Sequence, residues 1–394
     1  MKFFEPSRLL TRLPEQFFAS LAQKAAAKVK AGHDIINLGQ GNPDQPTAEH
    51  IVQALQKASG DPANHKYSPF RGKQSLKEAA AGFYEREYGV TLDPETEIAV
   101  LFGGKAGLVE LPQCLMNPGE IALVPDPGYP DYWSGVEMAE AKMHMMPLLE
   151  KNQFLPDYTE IPSDILDSAK LMFLNYPNNP TGAAANKAFF EKTVDLANKN
   201  HICTVHDFAY GAIGFDGEKP VSFLQTPGAK EVGIEIYTLS KTFNMAGWRV
   251  AFAAGNPSVI NAINVYQDHM YVSVFGAVQD AAEAALLDES GSTQKLVQMY
   301  EKRRNTLVNA FRGIGWDIQA PKGSFFAWLK VPDGYTSQEF SDILLEKAHV
   351  VTAPGDGFGQ YGEGYLRVGL LTDEWRIEQA AARISKLGLF MTAD

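Results

Sequence analysis

The chain has 394 residues and a formal net charge of −12 at pH 7, with 35 Lys and Arg against 47 Asp and Glu. So acidic a surface repels nucleic-acid phosphates and anionic membranes, which argues against both as partners. The 45% hydrophobic content is that of an ordinary globular protein, and the length exceeds that at which one core stops growing, so two domains are expected. Cys114 and Cys203 make neither a disulfide framework nor a zinc pattern, and they read as buried core thiols in a reducing compartment. No run approaches the ~18 apolar residues of a spanning helix, and the first residues carry no apolar secretory core. The expectation is a cytoplasmic protein.

The predicted elements begin with a helix over 17–30 and a short strand over 34–38, broken at Gly39-Gln40-Gly41-Asn42-Pro43-Asp44. Helices follow over 49–58 and 75–87, separated by a polar loop that holds Tyr67. Then strands and helices alternate. Strands are expected over 97–102, 120–124, 170–174, 202–205 and 234–239, and 249–254 turns back as an antiparallel neighbour. Helices are expected over 105–115 and 187–198. The pattern predicts an α/β domain with a mainly parallel sheet. Beyond about residue 256 the character shifts to helices over 272–287 and 293–311, strands over 324–331 and 365–370, and helices over 337–347 and 374–387. That is a smaller α+β domain, with which the N-terminal helix is free to pack.

Polar and glycine-rich residues cluster just after the strand ends, where ligands bind in open α/β sheets. The central stretch is Thr238-Leu239-Ser240-Lys241-Thr242-Phe243-Asn244-Met245-Ala246-Gly247-Trp248-Arg249. Most lysines are solvated surface charges. Here Thr238 and Ser240 add hydroxyl donors and Arg249 a planar fork suited to phosphate. A lysine beside a phosphate site is what a Schiff-base cofactor needs. Asp207, after an apolar strand, fits a helix N-cap as well as a carboxylate facing a pyridine nitrogen. Tyr210 follows in the same turn. Asn179 fits turn chemistry or a hydrogen bond to a ring oxygen. Gly103, Gly104 and Lys105 open a helix whose N-terminus favours an anion. Tyr129 fits a packed loop tyrosine or a ring stacked on an aromatic ligand. Arg367 lies within an alternating strand among apolar neighbours, where a bidentate grip on a carboxylate is its natural use. Gly357-Phe358-Gly359-Gln360-Tyr361-Gly362 matches G-x-G-x-x-G by letters, but a strand follows rather than a helix, so a dinucleotide reading is rejected. No histidine spacing suits a metal.

Together these residues resemble the class I/II pyridoxal-phosphate aminotransferases of fold type I, from Gly39 to Arg367. The resemblance implies a large domain over 45–288 with a mainly parallel seven-stranded sheet, and a small domain over 1–44 and 289–394. It implies that Lys241 carries pyridoxal 5'-phosphate as a Schiff base and is the catalytic residue. Gly104, Lys105, Thr238, Ser240 and Arg249 match the family's phosphate site. Asp207 matches the partner of the pyridine nitrogen, Asn179 and Tyr210 the residues on the ring oxygen, and Tyr129 the stacking ring. Arg367, with Gly39 and Asn179, matches the substrate site. Tyr67 resembles a tyrosine that reaches the neighbouring subunit's phosphate, which implies a homodimer. Gly103 stands where many members have serine, and no second arginine matches one that would hold a dicarboxylate.

Within the family, the chain resembles the bacterial branch near LL-diaminopimelate aminotransferases, and within that branch Gly39-Gln40-Gly41-Asn42-Pro43-Asp44-Gln45-Pro46-Thr47, Tyr129-Pro130-Asp131-Tyr132-Trp133 and the stretch from Ser240 to Arg249 are similar to the methionine-salvage transaminases of bacilli. The implied partners are an amino-acid donor and a 2-oxo-acid acceptor, here 4-methylthio-2-oxobutanoate giving methionine. Diaminopimelate, aspartate or aromatic transamination and β-lyase, decarboxylase or acyl-CoA condensing chemistry stay open, because Lys241 and Asp207 serve them all. A cofactor-binding sensor domain is a further class, but no basic helix-turn-helix precedes residue 30.

Overall fold

The computed structural model describes residues 2–14 and 17–390. The strands are β1 (Ile36–Asn37), β2 (Ile98–Leu101), β3 (Ile121–Asp126), β4 (Lys142–Pro147), β5 (Ala169–Asn175), β6 (Cys203–Asp207), β7 (Gly233–Thr238), β8 (Ala251–Gly255), β9 (Phe326–Lys330), β10 (Val350–Val351), β11 (Ala353–Pro354) and β12 (Tyr365–Gly369). Seven of them form one sheet in the order β2-β8-β7-β6-β5-β3-β4. Only β8 runs antiparallel to its neighbours, so the sheet is mainly parallel, as expected.

The central strands read as unbroken apolar runs because both faces are covered. In β5, Leu171 and Phe173 face one core, with Leu108, Leu111 and Ile263 from the helices Gly104–Leu115 and Pro257–Met270. Met172 and Leu174 face the other, with Phe83, Phe190 and Ala281. The period-2 alternation of strand side chains thus splits one sheet into two cores. A smaller domain carries the antiparallel sheet β11-β12-β9 under the helices Ser292–Gly313 and Glu374–Ser385. Its core joins Leu307, Phe311, Val368, Ile377 and Ile384. The helix Phe17–Lys30 docks on this unit through Lys24–Asp342 and Lys28–Glu346 ion pairs.

Several expectations are corrected. The strand over 34–38 shortens to β1, which pairs with β10. The segment over 272–287 is helical only as Gly276–Leu286. Before it stands an unexpected helix, Pro257–Met270, whose signal was present: Asn256 caps it, accepting the Ser258 and Val259 amides at 3.0 and 3.4 Å, and Pro257 opens it. The seventh strand, β4, has the half-covered sequence Lys-Met-His-Met-Met-Pro, which lacks the β-branched and aromatic residues that announce a strand. Cys114 and Cys203 are half-buried rather than fully buried.

Candidate active site

The C-terminal ends of the parallel strands open on a cavity of about 430 Å³. Gly39, Gly104, Lys105, Tyr129, Asn179, Asp207, Tyr210, Thr238, Ser240, Lys241, Arg249 and Arg367 all line it. They come from segments more than 300 residues apart, and the sheet brings them together. Tyr67 lies outside the cavity of its own chain and is 84% exposed.

One wall is built for an anion. Gly103 caps the helix Gly104–Leu115 with no side chain of its own, which leaves the first amides open. Gly103 has φ +92, and a Cβ there would lie 2.5 Å from an Arg249 guanidinium nitrogen. The glycine that departs from the serine pattern is therefore what lets Arg249 approach. Arg249 itself, at φ +57, is tethered by donating to the Ala246 carbonyl at 2.7 Å. Thr238 Oγ1 donates to Ser240 Oγ at 2.9 Å, so both hydroxyls face the same space. The Lys105 ammonium instead pairs with Asp131 at 2.9 Å.

The middle of the cavity holds a buried carboxylate and an amine. Asp207 ends β6, and its Oδ2 accepts the Tyr132 hydroxyl at 2.7 Å. Burial pushes its pKa up to about 6, against the pull of that hydroxyl. Asn175 Nδ2 donates to the Asp207 carbonyl, and Asn175 Oδ1 accepts the Asn179 amide, both at 2.7 Å. Next to Asp207 in β6, the fully buried His206 accepts the Tyr176 amide on Nε2 at 3.2 Å, while Nδ1 donates to Glu235 at 2.7 Å. Thus β5, β6 and β7 jointly fix the loop that carries Asn179. Lys241 Nζ donates to the Gly41 carbonyl at 3.0 Å. Burial first, then repulsion from Arg367 and Arg249, brings its pKa down to about 8, with Asp207 opposing.

Arg367 forms the other wall and is 1% exposed. It donates to Asn179 Oδ1 at 2.9 Å and to the Gly39 carbonyl at 3.0 Å. The rings of Phe326, Phe358 and Phe18 surround its guanidinium at 4.0, 4.7 and 5.0 Å. Its Nε has no partner, and among the described residues no carboxylate pairs with it. Burial therefore brings its pKa down to about 9. A guanidinium so placed favours an incoming carboxylate.

Residues 33–384 match the family model for aminotransferase class I and II. The chain belongs to this family. It is 67% identical to the L-glutamine–4-(methylsulfanyl)-2-oxobutanoate aminotransferase of Bacillus subtilis, over 98% of this chain and 97% of the relative. It is 44% identical to an LL-diaminopimelate aminotransferase of Desulforudis audaxviator over 98% of both chains. The solved structure of substrate-bound BacF from Bacillus subtilis superposes with a TM-score of 0.95 at 50% identity, covering all of both chains. The protein is a pyridoxal-phosphate-dependent aminotransferase of fold type I.

The residues present fit that cofactor. The glycine cradle beside Arg249 suits a phosphate, the buried Asp207 suits a pyridine nitrogen, and the Lys241 amine lies between. Sequence reasoning missed Tyr132 as a partner of Asp207, Asn175 as the brace of Asn179, and the aromatic cage of Arg367. For Asn175 a signal existed: a polar residue closing an apolar strand.

Proposed function

We propose that this aminotransferase transfers an amino group from an L-amino acid to 4-(methylsulfanyl)-2-oxobutanoate, the 4-methylthio acid, giving methionine. The carrying observation is the pairing of a buried, carboxylate-free Arg367 with an apolar wall of Phe18, Leu21 and Ala22. The cations that line the cavity are Lys105, Lys241, Arg249 and Arg367. Lys105 is taken by Asp131, and the roles proposed below take the other three, so among the described residues of this chain no lining cation remains for a second substrate carboxylate. The 67% identity to the Bacillus subtilis enzyme supports the same side chain and makes glutamine the first donor to test.

Pyridoxal phosphate, when bound, supplies the carbonyl that takes up the amino group and the ring that draws off the electron pair left at Cα. The Gly104 amide, the Thr238 and Ser240 hydroxyls and Arg249 would hold its phosphate, with the amide of Lys105. Asp207 would keep a proton on the ring nitrogen, braced by Tyr132. Asn179 and Tyr210 would meet the ring oxygen, and Tyr129 would stack on the ring. Arg367 grips the substrate carboxylate beside Gly39 and Asn179, which fixes Cα near Lys241. As a neutral amine, Lys241 takes the proton from Cα and later returns one.

The reading further assigns 45–288 to the large domain and 1–44 with 289–394 to the small one, of which 1, 15, 16 and 391–394 lie outside the described residues. It places the enzyme in the cytoplasm as a homodimer in which Tyr67 serves the second subunit's phosphate, without nucleic-acid or membrane partners. The exposure of Tyr67 with neighbouring Phe70 and Phe275 supports the dimer, and no described helix is long and apolar enough to cross a membrane.

A grid of amino donors against 2-oxo acids tests the substrate. The highest kcat/KM is expected with 4-(methylsulfanyl)-2-oxobutanoate. Preference for a dicarboxylic oxo acid, or release of ammonia or CO2 in step with turnover, would overturn it.

A further inference from the structure

The glycine-rich run Gly357-Phe358-Gly359-Gln360-Tyr361-Gly362 folds as two tight turns, Gly355–Phe358 and Gln360–Gly362, joined at Gly359 with φ +127. It wraps a carboxylate of the other domain. Asp126, the last residue of β3, is 2% exposed. Its Oδ2 accepts the Gln360 amide at 3.1 Å and its Oδ1 the Tyr361 amide at 3.0 Å. A Cβ at Gly359 would lie 2.1 Å from Asp126 Oδ1, so glycine is required there by contact as well as by φ. A return bond runs from the Gly128 amide to the Phe358 carbonyl at 2.8 Å. Among the described residues no basic side chain is ion-paired with Asp126, so backbone dipoles alone hold the charge.

Each half of this junction leads into the cavity. Tyr129 lies three residues beyond Asp126. Phe358 is fully buried, and its ring covers Arg367 at 4.7 Å while meeting Trp328 edge-on at 5.9 Å. One carboxylate thus couples the loop of Tyr129 to the loop that walls in Arg367.

We propose that Asp126 is a positioning residue for substrate recognition: it clamps the glycine loop so that Phe358 holds the Arg367 guanidinium ready for a carboxylate. The proposal rests on Arg367 being the carboxylate site. Both carboxylate oxygens are in use, each on an N–H. Asparagine has the same shape but only one acceptor oxygen, and its NH2 would face a backbone donor. Asp126→Asn therefore loosens the loop without removing volume. Arg367 keeps Asn179 and Gly39, so binding weakens rather than disappears.

The test uses holoenzyme and the unreactive monocarboxylate pentanoate, with its Kd measured at equilibrium alongside steady-state kinetics. Asp126→Asn is expected to raise the pentanoate Kd and the KM for the oxo acid about tenfold, as the loss of one charge-assisted hydrogen bond would. Cofactor affinity falls less than pentanoate affinity, since Tyr129 is only one of several groups on the cofactor, and kcat changes less than KM. Phe358→Leu, which leaves Asp126 intact, is expected to act the same way. Wild-type pentanoate binding by Asp126→Asn would overturn the proposal, as would a fall in Tm and cofactor affinity with KM unchanged. Arg367→Lys separates the two readings. If it binds pentanoate as wild type does, the carboxylate role of Arg367 fails and the proposal with it. If it loses pentanoate while Asp126→Asn keeps it, only the role of Asp126 fails.

Discussion

Arg249 and Arg367 line the same cavity in opposite surroundings. Arg249 is exposed, and its fork is held by the Ala246 carbonyl three residues back, with Gly103 leaving it room. Arg367 is 1% exposed and is held by groups 188 and 328 residues away in sequence, within a cage of phenylalanines. The first site joins the stretch from Thr238 to Arg249 to the helix start at Gly103, all around the large sheet, whereas the second exists only once both domains are in place. The difference has an electrostatic consequence. Charge near solvent is screened, while a buried cation without a countercharge acts strongly on its neighbours. The position of Arg367 thus favours a carboxylate and at the same time lowers the proton affinity of Lys241.

The comparison breaks most visibly at Arg367. Arg367→Met should raise KM for the oxo acid roughly 100-fold, about the worth of a paired charge-assisted grip near 3 kcal/mol. Tm should change little, because removing a buried charge that lacks a countercharge offsets the two hydrogen bonds lost at Asn179 and Gly39. Unchanged KM, or a large loss of Tm, would contradict the contrast drawn above. Arg249→Met should act on the other side only, weakening cofactor affinity about tenfold while leaving carboxylate-probe binding by the remaining holoenzyme unchanged. Equal effects on both ligands would show that the two walls are not separable.

The smallest effect is one of pH. With the Lys241 pKa near 8, the rate of cofactor attachment to apoenzyme should fall about tenfold per pH unit below 8 and level off above it, since only the neutral amine reacts. Arg367 repels the ammonium form, so Arg367→Met raises the Lys241 pKa and moves the plateau to higher pH. Arg249→Met should move it less. Absence of any shift in Arg367→Met, measured by stopped-flow absorbance, would remove the coupling between the two ends.

The same contrast explains what was legible in the sequence. Lys241, Arg249, Thr238 and Ser240 lie within one motif, and Asp207 and Asn179 sit in or just after apolar strands, so local pattern found them. The sheet was legible where β-branched and apolar runs marked buried strands, as in β6 and β7. It was not where Met-rich β4 forms an edge. Tyr132 stood in the motif from Tyr129 to Trp133 without a role, because its partner Asp207 lies 75 residues on. Phe18 and Phe358 carried no signal, since nothing local sends a phenylalanine to a guanidinium. The glycine-rich run leads into β12 rather than a helix, but the group it wraps, Asp126, is 234 residues from Gln360 and left no local sign. Turn chemistry and periodicity are short-range, whereas cages and clamps are tertiary.

Everything proposed for the cavity turns on Lys241 standing between the two arginines as the residue that carries the cofactor. Borohydride treatment of the holoenzyme, followed by proteolysis and mass spectrometry, tests this directly. The cofactor-derived mass is predicted on the peptide holding Lys241 and on no other lysine, with Lys241→Ala unlabelled. Label on Lys105 or elsewhere, or none in the wild type, would contradict the account.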